Sequence, residues 1–207
     1  MLAHLRRSVI LGLIAIVVTF LYAFVGTGVS QVLFKHQADG SITANGSTLV
    51  GQNWSQTACP GHPNGSCVFQ GRPDDLGPYS SAKTNPAEHP GDDPLVANGQ
   101  SGESGATNLG PRSAELKAYT IALKSYWNAR GVQPTPDLVT TSASGYDPDI
   151  TPQDALVQIP MVSAATGLSA ATLRALIAKE TNGEQLGFLG SSYIDVLQLN
   201  EALAHLR

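Results

Sequence analysis

Apolar positions are spread very unevenly along this chain. From Ser8 to Phe34 it reads SVILGLIAIVVTFLYAFVGTGVSQVLF, 27 residues without an Asp, Glu, Lys or Arg. At about 1.5 Å per residue this run makes a helix of roughly 40 Å, more than a hydrocarbon core of about 30 Å requires. Gly26, Thr27, Gly28, Ser30 and Gln31 make its last third more polar. That centres the membrane-crossing part on Val9 to Val25, with Val9, Leu13, Val17, Leu21 and Val25 as anchor positions. The pattern divides the chain into a tail (1–8), a transmembrane anchor (9–34) and one domain (35–207) of ordinary size.

Helical and extended periodicities are short beyond the anchor. Ser47 to Gln52 and Cys67 to Phe69 read as short strands, as do Asp137 to Thr141 and Tyr193 to Val196. Residues 72–110 are dominated by Pro, Gly, Ser, Asn and Asp with no apolar period, and read as one long loop. AELKAYTIALKSYWNARG then places Leu116, Tyr119, Leu123 and Trp127 near one helical face, with Gly131 as the stop. Core packing is the plain reading of that aromatic stripe.

Thr151-Pro152-Gln153-Asp154 reads as a capped helix start, with Pro160 inside the helix that follows. Ser169 reads as the next N-cap, with Leu168 and Leu173 as a hydrophobic staple. LGFLG (186–190) is a glycine-bounded turn or short strand, and LQLNEALAHL closes the pattern as a helix. The fold class is therefore α+β: one N-terminal transmembrane helix, then a single small domain of helices and short strands.

Charge sets the expected orientation. Arg6 and Arg7 precede the apolar run and only Lys35 and His36 follow it closely. Positive residues stay on the cytoplasmic face, so the N-terminus is expected inside and the domain outside the cell membrane, in single-pass topology. A cleaved secretory signal has the same basic start, but its apolar stretch is usually shorter. No Ala-x-Ala site follows here; Gly26-Thr27-Gly28 is the nearest small-residue candidate. Beyond Arg6 and Arg7 the chain carries ten basic and sixteen acidic residues. An acidic domain without a Lys/Arg cluster excludes nucleic acid as a partner and leaves lipid contact to the one helix.

Chemistry is sparse. Cys59 and Cys67 lie in CPGHPNGSC, and an exported domain favours a disulfide there. Free thiols, or a metal site with His62 and His89, are the alternatives. There is no Walker phosphate loop, HExxH or GxSxG motif, and no Asp-Lys-Thr-Gly-Thr segment. Asp147 and Asp149 around Pro148 read as a turn whose carboxylate caps the following helix, rather than as an acid–base or calcium pair. SGESG, with Arg112 nearby, is a poor phosphate cradle. The residues alone describe an anchored, exported, non-enzymatic domain, an architecture that usually serves a partner protein.

Several motifs converge on a family. SGESGATNLGP (101–111) resembles the Ser-Gly-Gly-Ser-Asn-Leu-Gly-Pro signature of the C subunits of Kdp potassium-transporting ATPases. DLVTTSASGYDPDITPQDALVQIPMV (137–162) is similar to their DLVTxSASGLDPxISPxxAxxQxxRV, and LGFLGSSYIDVLQLNEAL (186–203) to their LGxxGxxxVNVLxLNxAL. The anchor and GSTLVGQ (46–52) fit as well. Asp149, Met161 and Asp195 depart from the pattern, and the cysteine pair is not expected from it.

The resemblance implies a non-catalytic accessory subunit of an ATP-driven, high-affinity potassium import complex. Its implied partners are a channel-like potassium-binding subunit and a P-type ATPase subunit, whose assembly it would stabilise. No cofactor is expected to be firmly bound, with ATP reaching it only through the complex. A further family proposal makes the subunit a catalytic chaperone for ATP binding, with Gln158 at the nucleotide. The expected topology puts Gln158 on the face opposite cytoplasmic ATP, and a helix glutamine satisfying a nearby backbone group is the other reading. An acidic domain over the channel-like subunit would also raise the local cation concentration. The alternative from a different class is a freestanding, membrane-tethered binding module using the 72–110 loop for recognition.

Overall fold

The computed structural model describes residues 2–55, 57–73, 109–144 and 147–207, in two compact units, 1–42 and 43–207. The first unit is helix α1 (Leu2–Leu33) and a short helix α2 (Lys35–Ala38). α1 is apolar on every face rather than amphipathic, as a membrane span is and a surface helix is not. Val9, Leu13, Val17, Leu21 and Val25 all stand exposed along it. Lys35 closes an i,i+4 ion pair with Asp39 at 2.6 Å.

The second unit contains helices α3 (Ala114–Asn128), α4 (Pro152–Thr166), α5 (Ala170–Glu180) and α6 (Val196–Ala204). Its strands β1 (Asp149–Ile150) and β2 (Ile194–Asp195) pair antiparallel, Asp149 opposite Asp195 and Ile150 opposite Ile194. Helices outweigh strands, as the α+β reading has it. Local chemistry explains the helix starts. Thr151 and Asp154 form a reciprocal capping box with Pro152 in the first turn, Ser169 Oγ accepts from Thr172 N, and Asp195 Oδ1 accepts from Gln198 N. α4 runs on through Pro160.

Tyr119, Leu123, Trp127, Ile159, Val162, Leu173 and Leu199 meet in one buried core. Leu116, at the N-terminal end of the α3 stripe, is only half-buried. Trp127 packs edge-on to Tyr126 with ring centres 5.3 Å apart, and its indole N–H donates to Leu138 O at 2.9 Å. That bond satisfies the polar edge of a side chain with no exposed surface.

Three expected strands are not strands. Asp137–Val139 is a 3-10 turn after Pro136, in which Val139 N donates to Pro136 O and Thr140 Oγ1 to the same carbonyl. Leu138 and Val139 are both buried, which a strand of alternating faces would not allow on one core. At 47–52 the Ser47 hydroxyl accepts from Leu49 N and Val50 N, a local turn that competes with extended pairing. Cys67–Phe69 lies in a chain of turns closed by a disulfide; Val68 N donates to Gly65 O, while Cys67 N and the Phe69 peptide are met by side chains. Tyr193–Val196 is strand only at Ile194–Asp195, because Asp195 already caps α6.

Neither Asp147 nor Asp149 caps α4; Thr151 and Asp154 do, while Asp147 Oδ1 accepts from Asp149 N at 3.1 Å. Of the 72–110 loop, only Arg72, Pro73, Leu109 and Gly110 are described, so the reading of SGESG and the 101–108 part of its motif fall outside the described residues.

Candidate functional site

Among the described residues of the second unit, the richest polar constellation is built around the dipeptide Phe69-Gln70. It begins with a small loop. Cys59 and Cys67 are joined by a disulfide with S–S 2.02 Å and Cα–Cα 5.6 Å, so neither is a thiol or a metal ligand. Inside the loop His62 N donates to Cys59 O and Ser66 N to Pro63 O, while Gly65 N reaches back to Thr57 O at 2.7 Å. Gly65 has φ +76, and a Cβ there would lie 2.8 Å from Ser55 Cα and 2.9 Å from Ser55 O. Only glycine fits both that backbone and that contact.

The chain leaves the loop buried. Phe69 and Gln70 are 0% and 1% exposed, so their peptide groups need protein partners. No strand supplies them; two side-chain amides do. Asn200 of α6 accepts from Phe69 N through Oδ1 at 2.8 Å and donates Nδ2 to Phe69 O at 2.8 Å. Gln158 of α4 repeats the pattern one residue on, with Oε1 accepting from Gln70 N at 2.8 Å and Nε2 donating to Gln70 O at 2.9 Å. A primary amide is the side-chain equivalent of a peptide, so each pair mimics one rung of a β-ladder.

The side chain of Gln70 is also engaged at both ends. Its Nε2 donates to Gly65 O at 3.0 Å, and its Oε1 accepts from the Tyr126 hydroxyl of α3 at 2.9 Å. Three helices thus converge on one dipeptide through Tyr126, Gln158 and Asn200. Arg130 lies 3.6 Å above the Tyr126 ring and donates to its carbonyl, bracing that end.

Gln158 is therefore 0% exposed, with both ends of its amide engaged by the Gln70 peptide. A nucleotide contact would require breaking both bonds and opening the core, so this residue does not fit a nucleotide. Gln70 and Tyr126 lie outside the motifs, and Asn200 lies inside the 186–203 motif with no role attached to it, because the partners in this network are 56 to 131 residues apart.

A second polar group adjoins the first. Arg72 pairs with Asp147 at 3.3 Å and donates to Thr141 O at 3.1 Å, tying the end of the buried segment to the approach of β1. Asp149 lies opposite Asp195 across the two-stranded sheet. Burial first, then the carboxylates of Asp147 and Asp195, push the Asp149 pKa up to about 6. Burial likewise raises Asp195, against the opposing backbone N–H groups of Gln198 and Leu197. Among the described residues no three metal-ligating side chains gather.

The comparisons with known proteins cover the same chain from end to end. Residues 5–205 match the family described as KdpC: K+-transporting ATPase, c chain. The chain belongs to the KdpC family. It is 37% identical to the potassium-transporting ATPase KdpC subunit of Methylobacterium nodulans, over 100% of this chain and 98% of that one. It is 36% identical to the same subunit of Sorangium cellulosum, over 98% of each chain. With KdpC subunit 1 of a Nostoc species it is 36% identical, over 98% of this chain and 94% of the other. The chain is therefore a KdpC-type subunit of a potassium-transporting ATPase, and its apolar first helix fits a single-pass membrane protein.

Proposed function

We propose that this chain is the non-catalytic accessory subunit of an ATP-driven potassium import complex. It stabilises the assembly of a channel-like potassium-binding subunit with the P-type ATPase subunit. α1 is the single-pass anchor, with the N-terminus cytoplasmic and residues 43–207 extracytoplasmic. The observation that carries the reading is similarity to KdpC subunits over essentially the whole chain, anchor included. Arg6 and Arg7 before the apolar run and the Cys59–Cys67 bridge after it support the orientation, since disulfides persist outside the cytoplasm.

Gln158 serves the fold of the domain and not ATP. Its amide is consumed by the Gln70 peptide, and on this reading the subunit acts on the ATPase through assembly rather than through a nucleotide contact. The excess of acidic residues gives the domain a field that favours cations near the channel-like subunit.

Affinity purification of the full chain in mild detergent from potassium-starved cells tests the reading. Recovery of a channel-like subunit and a P-type ATPase, with potassium-stimulated ATP hydrolysis lost when this chain is deleted, is the expected result. A chain that elutes alone and monomeric would make it a freestanding tethered binding module instead. Labelling of the chain by a photoreactive ATP analogue, lost in Gln158→Leu at unchanged melting temperature, would return Gln158 to the nucleotide.

A further inference from the structure

Between α5 and β2 the chain projects a hairpin, residues 182–193, whose apolar side chains are turned outward. Leu186, Phe188 and Leu189 are 83%, 71% and 47% exposed. No other stretch of the second unit exposes three large apolar side chains within four residues, among the described residues. The hairpin is rooted by a reciprocal pair, Asn182 N to Tyr193 O at 2.8 Å and Tyr193 N to Asn182 O at 3.0 Å. A second pair, Gln185 N to Leu189 O and Leu189 N to Gln185 O, both 2.9 Å, closes the tip. Its shape is held by backbone bonds and owes nothing to burial of its side chains.

Two costs converge on the same residue. Leu186 has φ +55, a left-handed conformation that L side chains other than Asn and Asp rarely adopt, and it holds an apolar side chain in water. Gly187 at φ +78 and Gly190 at φ +83 supply the other two left-handed positions of the turn. A strained residue presenting an exposed apolar side chain on a turn closed by backbone bonds fits a preorganised contact.

Charge selects the kind of contact. From Gln185 to Ile194 there is no charged residue, and the nearest flanking charges, Glu184 and Asp195, are both acidic. A tip that entered an anionic bilayer would carry Lys or Arg beside its apolar residues. This one meets an uncharged protein surface at no electrostatic cost and would be repelled by anionic headgroups.

We propose that the 182–193 hairpin is the docking tip through which this domain seats Leu186 and Phe188 in an uncharged apolar pocket on another protein subunit of the transport complex. The proposal rests on the accessory-subunit reading, which supplies the partner. Buried aromatic and aliphatic anchors of this kind carry most of an interface's affinity.

The test uses the full chain co-expressed with its complex. Leu186→Ser/Phe188→Ser is expected to leave the melting temperature of the purified chain unchanged, since both side chains are exposed. Retention of the chain by the other subunits in detergent should fall roughly thirty-fold. Leu49→Ser, an exposed apolar residue outside the tip, should leave retention at the wild-type level. Failure of the wild-type chain to co-purify would overturn the accessory-subunit reading itself. Wild-type retention matched by the double variant would overturn the tip alone.

Phe188→Trp in the complex, reconstituted in phosphatidylethanolamine–phosphatidylglycerol vesicles, separates the occupants. A blue-shifted tryptophan signal, in difference from wild type, that brominated acyl chains do not quench supports the protein pocket. Quenching by those lipids, or emission at the wavelength of water-exposed indole, overturns it.

Discussion

Two parts of this domain reverse the usual relation between polarity and place. The segment Gly65–Arg72 is rich in polar groups, yet Gln70 and its partner Gln158 have almost no exposed surface. The hairpin 182–193 carries Leu186 and Phe188, yet these are the most exposed large apolar side chains among the described residues of the domain. Burying polar residues is costly unless donors and acceptors are matched, and here the amides of Gln70, Gln158 and Asn200 are engaged at both ends. Apolar residues held in water by backbone bonds have no such internal reason for their position. In this domain, then, the buried amide network accounts for shape, and the apolar tip is where a partner should be sought.

The largest effects should come from unmatching the network. Gln158→Leu keeps the volume but leaves the N–H and C=O of Gln70 buried without partners. A cost of about 3 kcal/mol is expected, a melting point lower by roughly 10 °C for a domain of this size. Thermal denaturation of the full chain in detergent measures it. The KM for ATP of whatever complex assembles should stay at the wild-type value, because the substitution is distant from nucleotide on this reading. A changed KM at wild-type stability would break the contrast. Replacing both cysteines by serine releases the loop before the network and should cost about 2–3 kcal/mol. Reductant should destabilise the wild type by the same amount and the double variant not at all.

Legibility in the sequence followed distance along the chain. The capping box at Thr151–Asp154, the Ser169 cap and the α3 stripe are written within a few residues, and the structure has each of them. The bonds from Gln158 and Asn200 span 88 and 131 residues, and an amide in a helix looks the same whether it meets water or a peptide. The missing strands have the same root. Cys67–Phe69 carries extended-looking residues, but its would-be ladder partners are side chains, which no period-2 pattern reveals. At Asp137–Val139 the indole of Trp127 captures the Leu138 carbonyl, a tertiary bond that overrides local propensity. LGFLG could be read as a turn from its glycines. Its exposure could not, because leucine and phenylalanine ordinarily count toward a core.

A smaller effect separates titration from packing next to the network. The folded pKa of Asp149, about 6, lies above its ordinary value, so the folded chain binds the proton more tightly than the unfolded one. The ionised carboxylate therefore destabilises the domain at neutral pH, and that penalty fades as the pH falls through 6 toward 4. Asp149→Asn should stabilise by about 1 kcal/mol at pH 7.5, after allowance for solvent screening of a half-buried group. At pH 4 the gain should vanish. Urea unfolding at the two pH values checks this; an equal gain at both would mean the substitution acts through packing and not charge.

The smallest shift in stability tests the contrast most sharply, because its sign is opposite to its effect on assembly. Leu186 occupies a left-handed conformation at a cost of about 1–2 kcal/mol, which glycine would not incur. Glycine's greater freedom in the unfolded chain returns part of that, leaving an expected gain of about 0.5 kcal/mol for Leu186→Gly. The same change removes the outermost apolar side chain of the tip. If the hairpin were only a connector, relieving its strain would raise the melting temperature and leave the complex intact. If it is a docking tip, the more stable variant should be the more weakly held one, since strain tolerated in the free domain is kept for what it presents to a partner. Melting of the chain and its retention by the complex, measured on one preparation, should then move in opposite directions.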